Sequence, residues 1–226
     1  MNSPDFEKWK SRATELLYNQ NLKDRILNIQ KLDYGEKTII FDTIQNYALL
    51  THSPLKLFLS EKNDILKDGC TLVLGDNSYL VLYNADTTYW EHLNWTLAHE
   101  IGHIYLDHTE DGPIEEIEAH FFAAQLFMPE YSIRMIQREH GIVKASDLIE
   151  IFGVSQEAAE RKINTMRRLH SYKVSAIDRS IWEIQKRRVD LYYRFNQDRS
   201  DYRYSLDYEL YMEAELEHHF FMEAYM

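Results

Sequence analysis

His99 and His103 stand four residues apart, and Glu100 directly follows the first of them. An α-helix turns once every 3.6 residues, so both imidazoles leave the same face of a helix and can reach one metal ion. A carboxylate beside the first histidine then lies next to a water on that ion and can take its proton. The pentapeptide His99-Glu100-Ile101-Gly102-His103 therefore reads as the core of a site for metal-assisted hydrolysis, with zinc the leading ion and a peptide bond the leading target. The plainer reading is a surface helix that happens to carry two histidines.

The flanking residues favour the chemistry. Leu93, Leu97, Ile101 and Ile104 recur at helical spacing, which places the motif inside an amphipathic helix over residues 90–106. Gly102 sits within that helix, where glycine costs about 1 kcal/mol relative to alanine. A close backbone approach beside a metal, or a tight contact with another helix, would account for it.

Two histidines do not complete such a site, because a catalytic zinc takes three protein ligands and keeps a position open for water. The pattern HExxHxxGxxH needs glycine at 105 and histidine at 109, where this chain has Tyr105 and Thr109. His108 is out of register with that pattern and reads as a residue at the helix C-terminus, where the dipole favours it. The remaining source is a carboxylate on the next helix, predicted to start after the turn residues Asp111-Gly112-Pro113. Glu115, Glu116 and Glu118 compete there, and acidic residues in a first turn also complement the dipole. Ala119, Phe122, Ala123 and Leu126 form an apolar face. Glu116 and His120 share the spacing of Ala119 and Ala123, which favours Glu116 as the third ligand and His120 as a group orienting it. Glu118 is the alternative ligand.

AHEIGH, a short loop and then E-x-x-A-x-x-F-A-A-x-L-x-M-P, carried by Glu116, Ala119, Phe122, Ala123, Ala124, Leu126, Met128 and Pro129, resemble the ImmA/IrrE metallo-endopeptidases. The segment LKDGCTL…YLVLYN, ending at Asn84, is similar to that family's lead-in, and the resemblance covers roughly residues 55–130. It implies a cytoplasmic bacterial or phage-encoded metallo-endopeptidase acting on a helix-turn-helix repressor of a mobile element or stress response. It also implies metal ligands His99, His103 and Glu116, with Glu100 as the general base. His120 departs from the Asn or Asp frequent at its position in such proteins, which bears on the surroundings of the metal and on metal preference. The rival class is a metal-containing protein without activity that sequesters a repressor or other partner.

Composition narrows the field further. The net charge of −12 argues against general nucleic-acid binding. Residues 131–196 carry 13 Lys+Arg and 8 Asp+Glu, whereas residues 197–226 carry 2 and 8. No apolar run approaches a membrane span, and the N-terminal MNSPDFEKWK lacks the apolar stretch of a secretory signal. Cys70 is the single cysteine, so no intrachain disulfide can form, and a reducing, cytoplasmic setting is expected. It reads as a buried strand residue, with redox sensing or inhibitory metal ligation as the sharper alternatives.

The elements expected around the site describe an α+β fold. Residues 5–20 form an amphipathic helix with Phe6, Trp9, Ala13, Leu16 and Leu17 on one side. Residues 38–50 suit a helix, although Thr38–Phe41 would also suit a strand. Leu55–Leu59, Thr71–Leu74 and Tyr79–Tyr83 have strand character, and Gly75-Asp76-Asn77-Ser78 makes the last two a hairpin. Tyr79–Asn84 is the candidate edge strand for pairing with an extended substrate, or else an ordinary sheet strand. A small sheet followed by the metal helix is the zincin-like layout that the resemblance implies for residues 1–130. Residues 131–175 form a second region, in which residues 145–155 and 157–169 look like a helix-turn-helix. Gly153 supplies its turn and Ser155 the N-cap. Arg161, Lys162, Arg167 and Arg168 would serve DNA binding in the sharper reading. A helical hairpin that completes the peptidase and docks substrate is the favoured one. Residues 176–226 then hold a helix over 176–195 and an acidic, tyrosine-rich tail.

Overall fold

A computed structural model describes residues 4–20, 26–60, 64–110, 112–168 and 173–198. The expected tail from 197 onward lies outside the described side chains.

Helix α1 (Phe6–Tyr18) starts where the Asp5 side chain accepts the Lys8 amide hydrogen at 3.0 Å, satisfying one of the donors a helix start leaves open. Its Trp9, Ala13, Leu16 and Leu17 are buried, while Phe6 at the first turn stays largely exposed. Residues 38–51 resolve the helix-or-strand ambiguity by division. β1 takes Thr38–Thr43, and α2 takes Ile44–Thr51. The Thr43 side chain caps α2 by accepting from the Asn46 amide, which marks the switch from one period to the other. Leu55–Leu59 does not form the expected strand. Residues Leu55–Phe58 make a 3-10 turn, and Leu59 only bridges Leu66. Pro54 ahead of the segment lacks an amide hydrogen and favours turn geometry over a ladder.

β2 (Gly69–Gly75) and β3 (Ser78–Tyr83) form the antiparallel hairpin, with Gly75 opposite Ser78 and Asn77 in the left-handed region at φ 53°. Asparagine tolerates that conformation better than most residues. β1 pairs parallel with β3, so the sheet order is β1-β3-β2. The candidate edge strand at 79–84 is thus the central strand, paired on both sides. Its Leu80, Val81 and Leu82 are all buried, as a run of consecutive apolar residues favours. Leu80 and Leu82 point to one face, into a cluster with Ile44, Ala48 and Phe58 that Cys70 also packs against. The other face meets α3.

α3 (Trp90–Tyr105), α4 (Pro113–Phe127), α5 (Glu130–His140), α6 (Ala145–Phe152) and α7 (Gln156–Arg168) follow. Pro113 opens α4 at a position where its missing amide hydrogen is not needed. Trp9 of α1 stacks on Phe121 of α4 at 5.1 Å. Asn94 of α3 is buried and holds the strand-like entry to residues 29–31, accepting from Ile29 and donating to Leu27. Gly153 ends α6 in the left-handed region at φ 62°, and the Ser155 hydroxyl accepts from the Ala158 amide at the start of α7, as the turn chemistry predicts.

Gly102 answers to a helix contact. A Cβ there would stand 3.1 Å from the Ala119 Cα and 3.2 Å from its carbonyl oxygen. These are backbone atoms that cannot swing aside. Alanine would contribute about 1 kcal/mol through helix propensity, against about 1–3 kcal/mol for overpacking. Gly102→Ala is expected to destabilise the fold by up to about 2 kcal/mol on that balance, read as a lower denaturant midpoint. A midpoint above the parent's would contradict the close contact.

By contacts the chain divides into Met1–Gln185 and Lys186–Met226, with the boundary inside α8 (Ala176–Asp198). Among the described residues no helix is long and apolar enough to cross a membrane.

Candidate metal centre

α3 presents His99 and His103 one turn apart, with their Nε2 atoms 3.1 Å from each other. α4 crosses α3 at Gly102 and Ala119, and Glu116 lies one turn before that crossing. Its Oε2 stands 3.3 Å from His99 Nε2, and its Oε1 stands 3.5 Å from His103 Nε2. Three donor atoms from two helices thus converge on one point. The missing side chain at Gly102 sets this distance, because it lets the two backbones approach.

The geometry fits a divalent ion. Tetrahedral ligation at the ~2.0–2.1 Å bond lengths of zinc to nitrogen and oxygen puts neighbouring donors about 3.3 Å apart, and the three separations bracket that value. The His99 and His103 side chains are 13% and 11% exposed and Glu116 is 45% exposed, so the trio opens on one side only. A hydrogen bond from His99, aided by the neighbouring His99 and His103, outweighs burial and pulls the Glu116 carboxyl down to about 2. It is therefore ionised, as a ligand must be.

Glu100, on α3 between the histidines, is buried and turns toward β2. The Thr71 hydroxyl donates to its Oε2 at 2.8 Å. Gly69, two residues before Thr71 on the same strand face, leaves the space the carboxylate needs. A Cβ there would stand 2.8 Å from Thr96 Cγ2 and 3.3 Å from Glu100 Oε1. Neither Gly69 nor Thr71 carries a sequence signal linking it to residue 100. The pairing arises because β2 runs across α3.

His108 and Glu118 behave differently from the sequence reading. Asp107 adopts φ 59° just past the end of α3, which turns the chain back and carries His108 under the motif rather than out along the helix axis. Its Nδ1 lies 3.1 Å from His103 Nδ1, and its Nε2 lies 3.0 Å from Glu118 Oε2. Glu118 faces His108 and not the trio, and its Oε1 accepts the Asp5 amide hydrogen at 2.5 Å. The His120 ring stands 4.5 Å from that of His99. Burial, and then the neighbouring His99, lower its pKa, so the neutral imidazole is favoured. Tyr105 donates its hydroxyl hydrogen to the Tyr34 carbonyl at 3.1 Å.

The trio and Glu100 line a cleft of about 930 Å³. Its walls are α3, the outer strand β2 through Gly69, Thr71 and Val73, the turn over Asp107–Glu110, and α7 through Glu157, Ala158 and Arg161. Of the four basic residues that would serve DNA on α7, Lys162 is buried beside Gln125, and burial pulls its ammonium down to about 8. Arg161 pairs with Glu157 at the cleft.

No curated protein matches the chain. The family model described as the IrrE N-terminal-like domain of the M78 peptidases matches residues 66–164, from the turn before β2 into α7. That span takes in the convergent trio, Glu100 with its strand partners, and the α7 wall of the cleft, and over it the chain is similar to the IrrE N-terminal-like domain of the M78 peptidases, which supports membership of the ImmA/IrrE family.

Proposed function

We propose that this protein is a metal-dependent endopeptidase in which His99, His103 and Glu116 hold one divalent ion, zinc by the donor set, and Glu100 is the general base. The observation that carries the reading is the convergence of these groups, with the two Nε2 atoms 3.1 Å apart, one Glu116 oxygen 3.3 Å from His99 and the other 3.5 Å from His103. When bound, the ion supplies carbonyl polarisation and brings the pKa of water toward ~7. Glu100 accepts the proton of the attacking water and returns it to the leaving nitrogen. The Thr71 hydroxyl fixes one carboxylate oxygen and so orients the base at the cleft. His120, neutral and beside His99, offers an N–H for the charge that develops on the carbonyl oxygen. β2, the outer strand of the sheet among the described residues, runs along the cleft and suits an extended substrate backbone, which would add to the sheet as a further strand.

The substrate is proposed to be a helix-turn-helix repressor, on the strength of the family resemblance. Helix α7 serves as a cleft wall in this reading, and the burial of Lys162 supports it. The test is incubation of the full chain with a helix-turn-helix repressor, first of all any encoded beside it, with and without a chelator. Fragments that appear only with metal are expected. A stable intact complex, unchanged by chelator, would replace the peptidase with a sequestering protein.

A further inference from the structure

The histidines of the trio are supported unequally. His99 Nδ1 is buried with no hydrogen-bond partner among the described residues. His103 Nδ1 faces His108, which faces Glu118, which takes the Asp5 amide hydrogen. The His108 and Glu118 side chains are 7% and 11% exposed, so water does not supply easy substitutes for these bonds.

The proton positions in this chain follow from one fixed end. A backbone N–H can only donate, so Asp5 imposes acceptance on Glu118 Oε1. A carboxylate is acceptor-only, so His108 donates to it from Nε2. An imidazole with its one N–H on Nε2 leaves Nδ1 an acceptor, which sets the role of His108 Nδ1. His103 Nδ1 must then hold the hydrogen, and His103 Nε2 is left with its lone pair exposed toward His99 and Glu116. That is the tautomer able to ligate a metal through Nε2.

We propose that His108 and Glu118 are positioning residues, which with the Asp5 amide lock His103 into its metal-ready tautomer before any ion arrives. The ligand role of His103 is taken from the functional reading above, whereas the tautomer is a property of the protein alone. Glu118 is irreplaceable in this scheme because both its partners are donors. A glutamine at 118 has one acceptor and one donor end. With its oxygen on the Asp5 amide, its NH2 group faces His108 Nε2 and forces it to accept. His108 Nδ1 then donates, His103 Nδ1 accepts, and the hydrogen moves to His103 Nε2, where it blocks the metal.

Two measurements on the full chain test this. Long-range proton–nitrogen correlation of the ¹⁵N-labelled, metal-free protein reads the tautomer of each histidine directly. His103 is expected to carry its hydrogen on Nδ1 in the parent and on Nε2 in Glu118→Gln. Competition for zinc against a chromophoric chelator should show weaker binding by about 10–100-fold in Glu118→Gln and His108→Phe, the range for groups that orient a ligand. A parent protein with the hydrogen on His103 Nε2 overturns the proposal, and that result needs no variant to fold. So do variants that fold and bind zinc as the parent does. Failure of the parent to bind zinc at all would instead remove the peptidase reading, with the tautomer still read independently.

Discussion

Glu100→Gln is expected to lower peptide cleavage by about 10²–10⁴-fold, the usual contribution of a positioned proton-transfer group, while metal content stays that of the parent. The separation follows from where the carboxylate points. Glu100 turns toward β2 and Thr71, not into the triangle made by His99, His103 and Glu116. Glutamine has the same shape, so the narrow space opposite Gly69 accommodates it without a shift of α3. The Thr71 hydroxyl can bond to an amide oxygen as it does to a carboxylate. What is lost is basicity alone. Cleavage followed by mass spectrometry, beside elemental analysis of the same preparation, checks both halves. Parent-like cleavage would remove Glu100 from the base role. Loss of metal together with cleavage would mean that the carboxylate belongs to the metal-binding set.

The parts of this site legible in the sequence are those written into one helix. The spacing of His99 and His103 needs only 3.6 residues per turn, and the apolar repeat from Leu93 to Ile104 needs only a buried face. Glu116 was reachable because it lies on the next helix at a spacing shared with its buried residues. What stayed hidden depends on chain reversal or on strand order. Counting helical register past His103 failed for His108, since α3 ends at Tyr105 and Asp107 at φ 59° redirects the chain. The hairpin was legible from its turn residues, but not that β1 would add to β3 and leave β2 at the cleft. Long-range pairing leaves no local mark, so the central strand passed for an edge. Lys162 looked like a surface cation within a basic stretch. Its burial against Gln125 follows from the packing of α7 on the body of the domain. Gly102 showed that something came close without showing what, and the partner proved to be the Ala119 backbone.

The second large effect concerns the carboxylates of α4, which the sequence offers as near equals. Glu116→Gln is expected to reduce metal affinity by more than the ~10–100-fold typical of groups that only orient a ligand, and to abolish cleavage with it. Glu116 brings both oxygens within 3.5 Å of the two imidazole nitrogens, and it alone gives the triangle a negative charge. The amide keeps the shape and one oxygen but not that charge. Helix α4 should tolerate the change, since a single first-turn charge contributes about 0.3–1 kcal/mol at an exposed helix end and Glu115 remains beside it. A carboxyl held down to about 2 also stays ionised through mild acid. The comparison with Glu118→Gln is decisive because the two residues are one helical half-turn apart and carry the same charge. Zinc titration against a competing chelator should rank them parent, then Glu118→Gln, then Glu116→Gln. The reverse order would make Glu118 the ligand and require α4 to rotate from the register that places Ala119 against Gly102, a rotation the 3.1 Å backbone approach does not permit.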